Sequence, residues 1–201
     1  MPEVYVIDDD EAIRRSLTFL LRTAGLLVRT YDGGEEFLRE ASQLAPGCVI
    51  TDVRMPEMDG LELVGRIKAA RLPMQCIVIT GHGDIPLAVE AMRIGAMDFL
   101  EKPFRDDALL ASVERAMASA TSPSDAQVGA GDETLRAMFA TLSPREHEVL
   151  ASVVLGKTNK MIARDLNISP RTIEAHRANL MGKTGARTLS DLVRMSILAK
   201  L

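Results

Sequence analysis

The residues best suited to chemistry lie just beyond apolar runs. Asp8, Asp9 and Asp10 follow Val4-Tyr-Val-Ile7, Asp52 follows Cys48-Val-Ile-Thr51, Thr80 ends Cys76-Ile-Val-Ile-Thr80, and Lys102 follows Asp98-Phe-Leu-Glu101. Carboxylates gathered in one place at neutral pH repel one another and raise each other's pKa unless a cation lies among them. Hard oxygen ligands suit Mg2+, which binds through one or two carboxylates and a phosphate oxygen. A carboxylate can also be a nucleophile that becomes an acyl phosphate, with a metal and an ammonium group offsetting charge on the transferring oxygens. Singly, each residue has a plainer role: Asp8–Asp10 as helix caps, Asp52 in a turn, Lys102 as a solvated charge. Convergence of all four segments on one pocket favours phosphoryl chemistry.

A second group of residues suits a polyanion. Thr158-Asn-Lys-Met-Ile-Ala-Arg-Asp-Leu166 reads as a short amphipathic helix, Asn167-Ile-Ser169 as a tight turn, and Pro170-Arg-Thr-Ile-Glu-Ala-His-Arg-Ala-Asn-Leu-Met181 as the next helix. That is a helix-turn-helix pattern. On the second helix Ile173 and Leu180 share one face, with Arg171, Ala175, Ala178 and Gly182 roughly opposite. Short side chains permit close approach to the major groove, while Arg and Asn reach bases or phosphates. A helical hairpin with a solvated basic face is the plainer alternative.

These residues need elements to hold them. The first 120 residues alternate five strand-like runs, at 4–7, 27–31, 48–51, 76–80 and 98–101, with helical apolar spacing. The helical spacing is carried by Ile13, Leu17, Leu20 and Leu21, then by Leu61, Val64 and Ile67, then by Leu87, Ala91 and Ile94. A last helix from about Asp106 places Leu109, Val113 and Met117 on one face. Alternation of this kind predicts an α/β doubly wound, five-stranded parallel sheet, whose ligands bind beyond the carboxyl ends of the strands. Glycines at 81 and 83 would let the loop after Thr80 move. Residues 121–135, small, polar and turn-forming, read as a flexible linker. Beyond it lies a small all-α unit over 136–201, with helices starting at Ser143-Pro-Arg-Glu146, a capping box with proline at the first helical position, and near 158–166, 170–183 and 189–200.

Charge divides the same way. Residues 1–141 carry 14 Lys and Arg against 23 Asp and Glu, a net −9, whereas residues 142–201 carry 10 against 5, a net +5. A basic second half fits a nucleic acid. Cys48 and Cys76, inside apolar runs, read as reduced core residues, and His82, His147 and His176 lack metal-ligand spacing. No run approaches the ~20 apolar residues needed to cross a bilayer, and the first strand pattern begins near Glu3. A cytoplasmic location without membrane contact is therefore expected. A flavin carrier on a similar sheet would need a phosphate-cradling loop after the first strand, where the three aspartates would repel phosphate unless a metal were bound.

Residues 3–120 resemble the CheY-like receiver domain of bacterial two-component systems. The resemblance rests on Asp8-Asp9, on Asp52-Val-Arg-Met-Pro-Glu-Met-Asp-Gly60, on Thr80-Gly-His-Gly-Asp84 and on Phe99-Leu-Glu-Lys102-Pro103. It implies a phosphoacceptor at Asp52 and a Mg2+ (or Mn2+) site from Asp9, Asp52 and the Arg54 backbone carbonyl, with Asp8 acting through water. It further implies Lys102 as partner of the phosphoryl group, Thr80 and Phe99 as the switch pair, and a cis peptide at Lys102–Pro103. Residues 142–199 resemble the LuxR/NarL type of DNA-binding domain through Leu142-Ser-Pro-Arg-Glu-His-Glu-Val-Leu150, Asn159-Lys-Met-Ile-Ala163 and Ser169-Pro-Arg-Thr-Ile-Glu-Ala-His176. The whole chain is similar to FixJ-type response regulators, with a receiver (1–120), a linker (121–135) and a DNA-binding domain (136–201). Base-facing positions would fall on Glu174, Ala175 and Ala178, where some relatives carry basic residues. Phosphate-facing positions would fall on Lys160, Arg171, His176, Asn179 and Lys183, with Thr172 and Arg177 beside them. The resemblance implies a transcriptional regulator phosphorylated by a cognate sensor histidine kinase, able to dephosphorylate itself but otherwise not an enzyme. Its partners would be double-stranded promoter DNA, a second copy when phosphorylated, and RNA polymerase. A regulator whose output is protein binding is the alternative.

Overall fold

The computed structural model describes residues 3–81, 85–121, 130–186 and 188–199. Two compact units emerge, residues 1–83 with 93–123 and residues 84–92 with 124–201.

Five parallel strands form one sheet in the order β2-β1-β3-β4-β5. They are β1 (Glu3–Ile7), β2 (Val28–Tyr31), β3 (Gly47–Asp52), β4 (Met74–Thr80) and β5 (Asp98–Glu101). Each lies within about two residues of the run that predicted it, and the central strands β1, β3 and β4, buried on both faces, read as nearly continuous apolar stretches. The helices between them are α1 (Glu11–Thr23), α2 (Gly34–Glu40), α3 (Gly60–Ala69), α4 (Ile85–Ile94) and α5 (Asp106–Thr121).

Side chains alternate across each strand. On β1, Val4 and Val6 join a core with Leu17 and Leu21 of α1, Ile50 of β3, Ile77 and Ile79 of β4, and Leu109 and Val113 of α5. Tyr5 belongs to the other face, 5.7 Å from Phe37 of α2, which also meets Tyr31 edge-on at 5.2 Å. Full burial of a side chain such as Leu21 stabilises the fold by about 1.5–3 kcal/mol. Cys48 and Cys76 are free and buried, as expected.

The second unit includes α6 (Ala130–Ala140), α7 (Pro144–Val154), α8 (Asn159–Leu166), α9 (Pro170–Thr184) and α10 (Leu189–Leu198). Phe139, Val149, Leu150, Val153, Ile162, Ile173, Leu180, Leu192 and Val193 are buried at 3% exposure or less. The capping box holds: the Ser143 hydroxyl accepts from the Glu146 N–H, and Glu146 accepts from the Ser143 N–H. Helix α6 departs from the reading of residues 121–135 as a linker, since it begins at Ala130. Residues 122–129 lie outside the described residues.

Candidate phosphorylation site and nucleic-acid interface

Sheet order decides where the first site lies. The chain crosses from β1 to β2 on one side and then returns to β3 on the other, so the order reverses between β1 and β3. A crevice opens at such a point beyond the carboxyl ends of the strands. Ile7 of β1 is in register with Thr51 of β3, and Asp52 with Ile79 of β4. The residues after Ile7 therefore fall beside Asp52, and Thr80 ends the next strand.

Lys102 joins them. Its N–H donates to the Thr80 carbonyl at 2.7 Å, which fixes the end of β5 against β4. Its Nζ then donates to Asp52 Oδ1 at 2.7 Å and to Asp8 Oδ2 at 3.3 Å. The Lys102–Pro103 peptide is cis, as the resemblance implied.

The two carboxylates are held from behind by backbone. Asp8 Oδ1 accepts from the Asp10 N–H at 2.9 Å, and Asp10 caps α1 by accepting from the Ala12 N–H at 2.8 Å. Asp52 Oδ2 accepts from the Arg54 N–H at 2.6 Å. Gly60 is required by the loop after Asp52, because a Cβ there would lie 2.1 Å from the Asp52 carbonyl oxygen. Its N–H donates to the Val53 carbonyl at 2.9 Å, while Asp59 caps α3 through the Glu62 N–H.

Electrostatics follow from this packing. Asp8 is only 4% exposed. Burial raises its pKa, against the lowering effects of the Asp10 N–H and Lys102, and the nearby Asp52 charge raises it further. Burial pulls Lys102 down, but the hydrogen bond to Asp52 and the charge of Asp8 outweigh it and hold the ammonium above its ordinary value. One cation thus serves two carboxylates. Excess negative charge in a partly desolvated pocket is the condition that favours a divalent cation.

Not every expected residue sits with them. Asp9 is exposed, and among the described residues no group of three or more His, Cys, Asp or Glu side chains is placed to hold a metal. Thr80 and Phe99 are buried, at 1% and 8% exposure. The loop glycine Gly83 and its neighbours at 82–84 lie outside the described residues. One contributor was not read from the sequence: Arg14 donates to the carbonyls of Asp8 at 2.7 Å and Asp9 at 3.0 Å, tying α1 to the acidic loop. Its position one turn after Asp10 is the only signal the sequence carried.

The second site is built by caps. Thr158 caps α8 through the Met161 N–H, and Asn167 ends that helix in the left-handed region at φ 54°. Ser169 then caps α9 through the Thr172 N–H, with Pro170 at the first helical position. The result is a helix-turn-helix in which Ile162, Ala163, Ile173 and Leu180 are buried. Arg171, Thr172, Glu174, Ala175, Ala178, Asn179 and Lys183 on α9, and Lys160 on α8, are exposed, while His176 and Arg177 are half-buried. Thr172 Oγ1 lies 2.8 Å from Ser169 Oγ, so its hydroxyl belongs to the cap.

Two expected DNA-facing cations already have protein partners. Arg177 donates to Asn159 Oδ1 at 2.7 Å, linking α9 to the start of α8, and burial lowers its pKa. Lys183 donates to Glu146 Oε2 at 2.7 Å, the same oxygen that accepts from the Ser143 N–H. The Lys183 hydrogen bond, followed by the Ser143 N–H, holds Glu146 at a pKa of about 2.

Comparison with known proteins assigns a family to each part of the chain. The response regulator receiver domain family matches residues 4–114, and the family of bacterial regulatory proteins of the luxR type matches residues 140–196. The chain is 50% identical to the transcriptional regulatory protein FixJ of Bradyrhizobium diazoefficiens, over 98% of this chain and 95% of that protein. It is 40% identical to the response regulator protein TmoT of Ectopseudomonas mendocina, over 96% of this chain and 87% of that one. Among solved structures, full-length FixJ from B. japonicum is similar at a TM-score of 0.58 and 50% identity, covering 99% of this chain and 97% of that one. Among the described residues, no helix is long and apolar enough to cross a membrane. The chain belongs to the FixJ-type response regulators of transcription, which join a receiver domain to a LuxR-type DNA-binding domain.

Proposed function

We propose that Asp52 is the phosphoacceptor and that its phosphorylation by a sensor histidine kinase controls promoter binding by α9. The observation that carries this reading is the Lys102 ammonium 2.7 Å from Asp52 Oδ1 and 3.3 Å from Asp8 Oδ2. The Asp52 carboxylate attacks phosphorus and forms an acyl phosphate as the donor's bond to phosphorus breaks. Lys102, already oriented by its hydrogen bonds, follows the phosphoryl oxygens and offsets their charge. Asp8, Asp9, Asp52 and the Arg54 backbone carbonyl would hold Mg2+ or Mn2+. When bound, that ion neutralises charge on the transferring oxygens. Thr80 lies on the neighbouring strand end and hydrogen-bonds the phosphoryl group, and Phe99 reports the change along β5. Hydrolysis of the acyl phosphate in the same pocket resets the protein. The receiver and the DNA-binding domain are taken as residues 1–120 and 136–201.

On the DNA side, Lys160, Arg171 and Asn179 reach the phosphate backbone, and the small face of Ala175 and Ala178, with Glu174, lies toward the bases. Exposure of these residues supports the assignment. Two recognition helices in a phosphorylated dimer would read adjacent half-sites, and RNA polymerase is the downstream partner.

Incubation of the intact protein with a radiolabelled phosphodonor tests the reading of Asp52. The expected label needs Mg2+, is released by hydroxylamine and is lost in Asp52→Asn. Undiminished labelling of that variant places the acceptor elsewhere.

A further inference from the structure

Asp98 opens β5 at the end of the strand remote from Lys102, and among the described residues it is one of the most buried acidic side chains, at 2% exposure. Oδ2 accepts from Ser112 Oγ and from Arg115 Nη2, each at 2.5 Å. Arg115 Nη2 also lies 3.1 Å from Ser112 Oγ, closing a triangle between the strand and α5. Oδ1 accepts from the Phe99 backbone N–H at 2.9 Å. A carboxylate withdrawn from water is stable only when donors surround it, and here they come from two turns of α5 and from Phe99 itself. β5 ends the strand order and pairs only with β4, through Ile77 opposite Asp98 and Val78 opposite Phe99. The Asp98 side chain therefore gives the Phe99 backbone a second anchor.

We infer that Asp98, Ser112 and Arg115 form a positioning network for Phe99, which sets how readily that residue exchanges between its two switch positions. The inference rests on the reading of Phe99 as the switch aromatic and adds residues outside the phosphorylation pocket that govern it. Asp98 lies four positions before Lys102, so one short strand is held at one end by the pocket and at the other by α5. Phosphorylation acts at the first end. The network resists at the second, and loosening it moves Phe99 toward its phosphorylated position without a phosphoryl group. Arg115, with its side chain 39% exposed, is the most accessible member.

The test uses the full chain labelled with 4-fluorophenylalanine, whose five phenylalanines give fluorine resonances assignable by substitution. In the wild type, phosphorylation is expected to shift the Phe99 resonance. In unphosphorylated Ser112→Ala and Arg115→Met, the resonance should lie between the two wild-type positions, while labelling of Asp52 is unchanged. Arg115→Lys should return it toward the unphosphorylated position. The Ser112 variant, which removes one hydroxyl, guards against simple misfolding, and a cooperative urea transition confirms that each variant is folded. A resonance that moves on wild-type phosphorylation but stays at the unphosphorylated position in both variants would make the network structural only. A wild-type resonance unmoved by phosphorylation would overturn the switch reading of Phe99 and this inference with it.

Discussion

Lys102 Nζ lies 2.7 Å from Asp52 Oδ1 although β5, which Lys102 directly follows, and β3, which Asp52 ends, are separated by β4. The lysine spans that gap because its own N–H is fixed to the Thr80 carbonyl at the end of β4. One backbone hydrogen bond therefore aims the ammonium, and the side chain reaches across the strand between. The same ammonium also serves Asp8, which leaves the pocket short of positive charge.

That shortage has a measurable sign. Burial raises the Asp8 pKa in the folded protein, so the stability linked to its protonated form is present below the unfolded value and lost as pH rises through the folded one. Asp8→Asn should then stabilise the metal-free receiver at neutral pH and flatten this part of its pH dependence. The same change should remove most of the stabilisation by Mg2+, which for a site saturated a hundredfold above its Kd is about 2.7 kcal/mol. Urea melts with and without Mg2+ decide it: a variant less stable than wild type without metal, and equally stabilised by it, contradicts the account.

Gly60→Ala tests the backbone behind Asp52. The added Cβ would stand 2.1 Å from a carbonyl oxygen, which cannot swing aside as a flexible side chain can. A destabilisation of about 1–3 kcal/mol is expected, as for other overpacked sites, together with slower labelling of Asp52. Unchanged stability and labelling would show that the loop relaxes freely.

Lys160 and Lys183 should behave differently, although charge counting treats them alike. Lys160→Ala should weaken binding to all duplex DNA and lower the salt slope by about 1. Lys183→Met should leave that slope nearly unchanged and lower the melting temperature of the DNA-binding unit, because its ammonium holds Glu146. The Glu146 pKa is depressed to about 2, so its contribution is present above the ordinary carboxylate range and lost as pH falls toward 2. Glu146→Gln should remove that acid-range loss. Equal salt-slope changes for the two lysines would return Lys183 to the DNA backbone.

Much of this was legible in the residues themselves. β5 was read at its true bounds because the apolar pair Phe99-Leu100 stands between acidic residues and the polar Lys102-Pro103 turn, and α7 and α9 were marked by Ser-Pro caps. The whole of α6 was missed, since Ala-Gly-Asp-Glu-Thr carries no apolar period and Leu135, Met138 and Phe139 give too short a pattern to mark a helix. The partner of Lys183 could not be read either. Glu146 lies 37 residues away, and only the packing of α7 on α9 brings them together. Asp98 looked like an ordinary strand residue until Ser112 and Arg115 closed over it.

If a phosphoryl group on Asp52 controls DNA binding, the operator affinity of the intact chain must change when Asp52 is phosphorylated. Operators selected with the phosphorylated protein would be titrated at one fixed salt concentration, because phosphate contacts make affinity depend steeply on salt. Phosphorylated wild type should bind at least about tenfold more tightly than unphosphorylated wild type, a difference of about 1.4 kcal/mol. Asp52→Asn treated with the same phosphodonor should bind like the unphosphorylated protein. Equal affinity of phosphorylated wild type and Asp52→Asn would contradict the account.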